Sequence, residues 1–143
     1  MIETERLTMR SFNEDDFDIM MSLYSNEEIM KYMPNDVMSA ETAQKHLNKV
    51  ICDWGEKPRV NFEMAVILKY NQEKIGRSRI HLDYETDTAI IGWLLLKKIG
   101  SWRVLEKCNM RREVHFIQNC KYIKNSNVIW EDELEYAILE SER

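Results

Sequence analysis

Glycine is scarce in this chain: four among 143 residues, at Gly55, Gly76, Gly92 and Gly100. No two stand close enough for a G-x-G or G-x-x-G, so the glycine-rich loop whose clustered N–H groups cradle a phosphate is excluded. Proline is scarcer still, at two, and no Pro- or Ser-rich linker divides the chain. Cysteine is odd in number and widely spaced, at Cys52, Cys108 and Cys120. That pattern excludes a disulfide framework and a zinc site, and reads as reduced thiols of a cytoplasmic protein. No apolar run approaches the roughly 20 residues of a membrane span. The segment MIETERLTMR lacks the basic-then-apolar pattern of a signal region. Basic excess is absent too: the formal net charge is −5, which argues against a general nucleic-acid binder.

What is present suits one soluble domain over residues 1–143. The apolar fraction is 44%, with four Trp and four Phe to fill a core, and the 31% of charged residues are mixed in sign. Residues 6–9 alternate as a strand. Asn13 is placed to cap a helix whose apolar stripe is Phe17, Met20, Met21 and Tyr24. Asn26 opens a short helix with Ile29, Met30 and Met33. Ser39 opens a longer one, to about Trp54, with Ala43, Leu47, Val50 and Ile51 inward. From Val60 the period falls to two. Residues 60–69 and 74–82 read as strands around a turn at 70–73, and a second turn at 83–87 leads into a third strand. Residues 111–123 and 130–139 alternate again, across a polar loop at 124–127. Helices segregated from an antiparallel meander make the class α+β.

The centre of the chain is AIIGWLLLKKIGSWRVLEKCNM. Residues 89–96 form an apolar run that predicts a buried strand. Gly92 within it predicts a bulge, or a place where another backbone or a ligand comes close. Ser101, Val104, Leu105 and Cys108 fall on one helical face, with Ser101 as cap and Asn109 suited to a left-handed end. Only residues 97–100 join strand to helix.

These residues carry a resemblance. IIGWLLL resembles the central strand of a GNAT N-acetyltransferase. SWRVLEKCNMRRE resembles the helix and following strand near that fold's C-terminus, whose usual form is N-x-x-S-x-x-V-L-E-K-x-G-(F/M)-x-x-E-G. ETERLTMRSFNEDD and WEDELEYAIL are similar to the family's two ends, and the branch that includes ribosomal-protein alanine acetyltransferases matches best. The resemblance implies a GNAT-like (acyl-CoA N-acyltransferase) fold: an antiparallel-rich mixed sheet with flanking helices. It also implies transfer of an acetyl group from acetyl-CoA to a primary amine of a protein N-terminus or a small molecule, without a metal. Between the central strand and the helix, the family carries a few dozen further residues. These hold the pyrophosphate loop (Q/R)-x-x-G-x-(G/A), a long helix and a strand. Here residues 97–100 stand in their place, so the chain reads as internally truncated near 97–100. The alternative reading is a catalytically inactive remnant or interaction module of the same family.

By the resemblance, acetyl-CoA lies along Gly92, Trp93 and Leu94, then Lys97, Lys98 and Ser101. Ser101 is the proposed proton donor to the CoA thiolate, although a serine there is also an ordinary helix cap. Lys97 and Lys98 can attract phosphate or simply be solvated, and Lys98 stands where the family has asparagine. Tyr136 and Trp130 share a strand face that can line a substrate cleft or belong to a core. The acidic set Glu131, Asp132, Glu133 and Glu135 suits a basic acceptor, or equally a charged edge that discourages aggregation. Asn109 and Val114 replace two family glycines. His46, His81 and His115 show no metal-ligand spacing. With a strand missing, the sheet is expected to leave an open edge, which invites a homodimer.

Overall fold

The computed structural model describes residues 1–31, 33, 36–96, 101–124 and 126–138. The chain divides into two compact units, the first Met1–Tyr32 with Val37–Lys98, the second Met33–Asp36 with Ile99–Arg143.

The first unit is a five-stranded antiparallel sheet in the order β1-β2-β3-β4-β5. Its strands are β1 (Ile2–Glu3), β2 (Leu7–Ser11), β3 (Asn61–Leu68), β4 (Lys74–Asp83) and β5 (Thr88–Leu95). Between β2 and β3 run helices α1 (Phe17–Tyr24), α2 (Glu27–Met30) and α3 (Ala40–Asp53). The helix starts follow local chemistry. Asn13 forms a capping box with Asp16 over the 3-10 turn Glu14–Asp16 that leads into α1, Asn26 accepts from two N–H groups of α2, and the Ser39 hydroxyl accepts from Thr42 N–H of α3. Each such cap is worth about 1 kcal/mol. The buried stripe of α1 is Ile19, Met20, Leu23 and Tyr24. The helix is thus rotated from the expected stripe, and Phe17 and Met21 are half-buried. With these side chains, Ala43, Leu47 and Val50 of α3 and Met64, Ala65, Val66 and Ile67 of β3 are among the buried apolar residues of the unit, and α1 packs on α3 and α3 on β3. Burying a Leu, Ile or Met contributes about 1.5–3 kcal/mol.

The meander β3–β4–β5 is antiparallel with short turns, as the alternation predicts. Two expectations for residues 89–96 do not hold. The strand forms, but it is not buried: Ile90 is 71% and Ile91 50% exposed. An apolar run forecasts burial only if something covers both faces, and β5 is the last strand of its sheet. Nor does Gly92 make a bulge, because pairing runs unbroken from Gly76↔Leu95 to Asp83↔Thr88. A Cβ added at Gly92 would meet nothing within 4 Å. The close approach occurs instead at Gly76, where a Cβ would collide with the Leu94 carbonyl and the Leu95 backbone.

The second unit holds α4 (Ser101–Lys107) and a two-stranded sheet of β6 (Arg111–Lys124) and β7 (Asn127–Ala137). Asn109 has φ 59° and ends α4. Met110 N–H bonds Leu105 C=O and Asn109 N–H bonds Glu106 C=O, which is a Schellman closure. The β6–β7 pairing extends to Lys124↔Asn127, so the strands reach further into 124–127 than the polar loop predicted from its composition. Phe116, Ile117, Ile123, Val128 and Trp130 are exposed.

Candidate active site

The predicted site residues fall in both units. Gly92, Trp93 and Leu94 lie on β5, opposite Arg79, Ser78 and Arg77 of β4. Trp93 Nε1 is buried without a hydrogen-bond partner. Lys97 and Lys98 lie outside the described residues, and the description of Ser101 covers its backbone, which opens α4, but not its side chain. Trp130 and Tyr136 lie on β7. Lys121 Nζ sits 5.4 Å from the Trp130 ring, and the Tyr136 hydroxyl accepts from Arg112 Nε at 2.9 Å. The Tyr136 hydroxyl also donates to Glu106 at 3.4 Å. On β6, His115 Nε2 lies 2.8 Å from Asp132 Oδ2. Gln118 N–H first, and His115 second, hold the Asp132 carboxyl below the usual carboxylate range. Among the described residues, no group of His, Cys, Asp or Glu could hold a metal ion. No described helix is long and apolar enough to cross a membrane.

The outer edge of β5 has a definite polarity. Leu96 N–H bonds Ile75 C=O, which fixes the antiparallel alternation: residues 90, 92 and 94 bond inward to β4. The N–H and C=O groups of Ala89, Ile91, Trp93 and Leu95 therefore face outward, where no strand of the described residues pairs with them.

The first unit also assembles a cluster that residue spacing did not reveal. Glu63 is only 8% exposed and forms an ion pair with Arg77. Arg79 Nε lies 4.0 Å from its other oxygen. His46 Nε2, from α3, sits 3.9 Å from Glu63 Oε2 and 3.3 Å from the Tyr24 hydroxyl of α1. Asn61 Oδ1 accepts from Arg79 at 3.1 Å and lies 2.9 Å from His81 Nδ1. Burial pushes the His46 pKa down; Glu63 opposes this, while Arg77, Arg79 and Lys49 reinforce it. The imidazole is thus neutral at neutral pH, and its side chain remains 26% exposed. Burial raises the Tyr24 hydroxyl to about 12, so it stays protonated. The sequence signal was a lone carboxylate within the apolar strand NFEMAVIL, opposite alternating arginines.

Glu63→Gln should lower the His46 pKa further, because it removes the one attraction that favours the imidazolium. An NMR titration of the His46 ring proton checks this. An unchanged or raised value would show that the carboxylate does not act on the ring.

This chain belongs to the GNAT acetyltransferase family: residues 6–103 match the model of the Acetyltransferase (GNAT) domain. Members transfer an acetyl group from acetyl-CoA to an amine, and that is the function of this chain. It is 29% identical to an uncharacterised N-acetyltransferase of Bacillus subtilis, YnaD, over an alignment covering 99% of this chain and 98% of that relative. That alignment spans 176 positions against 143 residues here, so at least 33 positions have no residue of this chain. A GNAT-family acetyltransferase structure from Bacillus anthracis superposes with TM-score 0.75 at 27% identity, covering 99% of both chains. The spermidine N-acetyltransferase of Vibrio cholerae, solved with CoA and spermine, shares the fold at TM-score 0.71 and 18% identity, covering 97% of this chain and 98% of its own.

Proposed function

We propose that the chain is an N-acetyltransferase acting in the cytoplasm on a primary amine of a protein N-terminus or small molecule, from one domain over residues 1–143. The observation that carries this is the family match over residues 6–103, which includes all of β5 and its outward-facing backbone edge. The match favours an enzyme over an inactive remnant. We place the missing alignment positions at residues 97–100, where the family's pyrophosphate loop, helix and strand would stand. The chain then keeps donors for the pantetheine arm and has lost those for the diphosphate.

The reaction needs an amine freed of its proton, whose lone pair attacks the thioester carbonyl. The C–S bond then breaks and the CoA thiolate takes up a proton. His46 is the candidate base. It is neutral, partly exposed and backed by Glu63, which stabilises the imidazolium once the proton arrives. Ser101 keeps the role the resemblance gives it, proton donor to the thiolate. The acidic residues of β7 suit a basic acceptor; spermine, bound by the Vibrio enzyme, and short peptides with free N-termini are the first amines to test.

The test is acetylation of such a panel, followed by mass spectrometry of the N-acetyl product. The rate should rise in proportion to acetyl-CoA into the millimolar range, because the cosubstrate binds weakly. No product from any amine at millimolar acetyl-CoA would overturn the enzyme reading.

A further inference from the structure

The sheet face that carries the Glu63 cluster opens toward solvent as it approaches β5. Directly opposed residues of an antiparallel pair share a face, so Glu63, Arg79 and Gly92 form one row across β3, β4 and β5. Along that row Glu63 is buried, the Arg79 side chain is 47% exposed and Gly92 is exposed. A Cβ at Gly92 would meet nothing within 4 Å, so the space beside Arg79 is open on this face. A larger residue at that position would set its Cβ about 5 Å from that of Arg79 and cover the arginine stem. An open approach to Arg79 accounts for a glycine in a strand where it makes no bulge.

The charges around this row do not cancel. Glu63 is already paired with Arg77. Arg79 is a second cation: its Nε stands 4.0 Å from Glu63, and its Nη2 donates to Asn61 at 3.1 Å. Among the described residues nothing accepts from its Nη1. The other carboxylate of β4, Asp83, is held in its own turn, where it accepts from Glu85 N–H at 2.8 Å and Thr86 N–H at 3.3 Å. A half-exposed guanidinium is the group whose planar fork matches a carboxylate. His46 approaches the same Glu63 from the other oxygen, its Nε2 at 3.9 Å from Oε2 while Arg79 Nε is 4.0 Å from Oε1. The candidate base and an unneutralised cation therefore flank one carboxylate.

We propose that the acceptor amine carries a carboxylate close to its nitrogen, and that Arg79 is the specificity-determining residue that holds this carboxylate while His46 faces the amine. The assignment rests on the transferase reading, with His46 as base. Two kinds of amine have this chemistry: a free amino acid, through its α-carboxylate, and a peptide with an acidic first residue, through its side chain. A polyamine offers Arg79 no partner and brings only like charge. The acidic residues of β7, which suit a basic acceptor, belong to the second unit; the charged group that shares Glu63 with His46 is a guanidinium.

The test uses acetylated products, so it does not depend on turnover. N-acetylalanine, N-acetyl-aspartyl-alaninamide and the uncharged N-acetylalaninamide are each titrated into the full chain, and the ring protons of His46 and His81 are followed by NMR. At least one carboxylate compound should bind roughly tenfold or more tightly than the uncharged amide, the factor that a hydrogen bond to a charged group carries. Which of the two does so identifies the source of the carboxylate. Arg79→Gln should remove the preference and leave both the amide's binding and the thermal midpoint as they were, and Arg79→Lys should restore part of it. Gly92→Val, which fills the open space without meeting a neighbour, should remove the preference as well, and it serves as the check if Arg79→Gln does not fold. Equal binding of all three compounds, no shift from either carboxylate at millimolar concentration, or a preference that survives these substitutions would overturn the proposal. Any of these results leaves the transferase reading standing, because that reading fails only when no amine is acetylated.

Discussion

Isothermal titration of acetyl-CoA into this chain is expected to show binding about a thousandfold weaker than into a family member with its pyrophosphate loop. A cradle of backbone N–H groups donates to a charged acceptor, and each such bond contributes about 1.5 kcal/mol or more. Loss of three removes roughly 4 kcal/mol, which converts to about three decades in affinity. Lys97 and Lys98 can return little, since an exposed lysine contributes about 1 kcal/mol or less per contact. What remains is the pantetheine arm on the β5 edge, so binding should be millimolar and largely insensitive to salt. Binding that weakens steeply with salt would show that cations elsewhere hold the diphosphate.

Asp16→Asn is expected to destabilise the first unit by about 3–5 kcal/mol, the cost of breaking a buried ionic cluster by removing one partner. The Asp16 side chain has no exposed surface. Arg10 bonds both its oxygens, at 2.6 and 2.9 Å, and Lys74 Nζ lies 3.0 Å away. Asn13 N–H donates to it at 2.9 Å, so the same carboxylate joins the helix start to β2 and β4. Burial raises its pKa, but the bonds from Arg10, Asn13 N–H and Lys74 outweigh burial and hold it below the usual carboxylate value. A depressed pKa means that the fold binds the proton less readily than the unfolded chain. The stability it contributes is therefore present above the unfolded value, about 3.9, and is lost as pH falls through the folded value. Urea unfolding near neutral pH should show the full loss in the variant, and thermal unfolding a midpoint lower by roughly 10–20 °C. The difference between wild type and variant should shrink below about pH 4. A loss under 1 kcal/mol, or one that does not vary with pH, would mean that the cluster does not hold the unit together.

Local features were legible in the sequence because their causes are local. Asn26 and Ser39 cap the helices that their side chains predict, Asn13 caps the 3-10 turn that leads into α1, and Asn109 takes the left-handed end of α4. The meander was legible from its alternation. The exposure of Ile90 and Ile91 was not, because burial depends on what covers a strand, and periodicity carries no information about a missing neighbour. The Glu63 cluster was hidden for a related reason. Glu63 meets Arg79 through the β3–β4 register, which shifts between Val66 and Ile67. His46 reaches Glu63 only because α3 packs on β3. Of the predicted site, the sequence order pointed to β5 through IIGWLLL, while the outward polarity of its backbone edge needed the hydrogen-bond pattern.

We propose that this acetyltransferase lacks, at residues 97–100, the segment that would hold the diphosphate of acetyl-CoA. The most direct test inserts a family loop–helix–strand segment between Leu96 and Ser101 and titrates acetyl-CoA into both proteins side by side. The account predicts millimolar affinity for the chain as it stands and low-micromolar affinity for a well-folded insertion variant. Low-micromolar binding by the uninserted chain, or no gain on insertion, would contradict it.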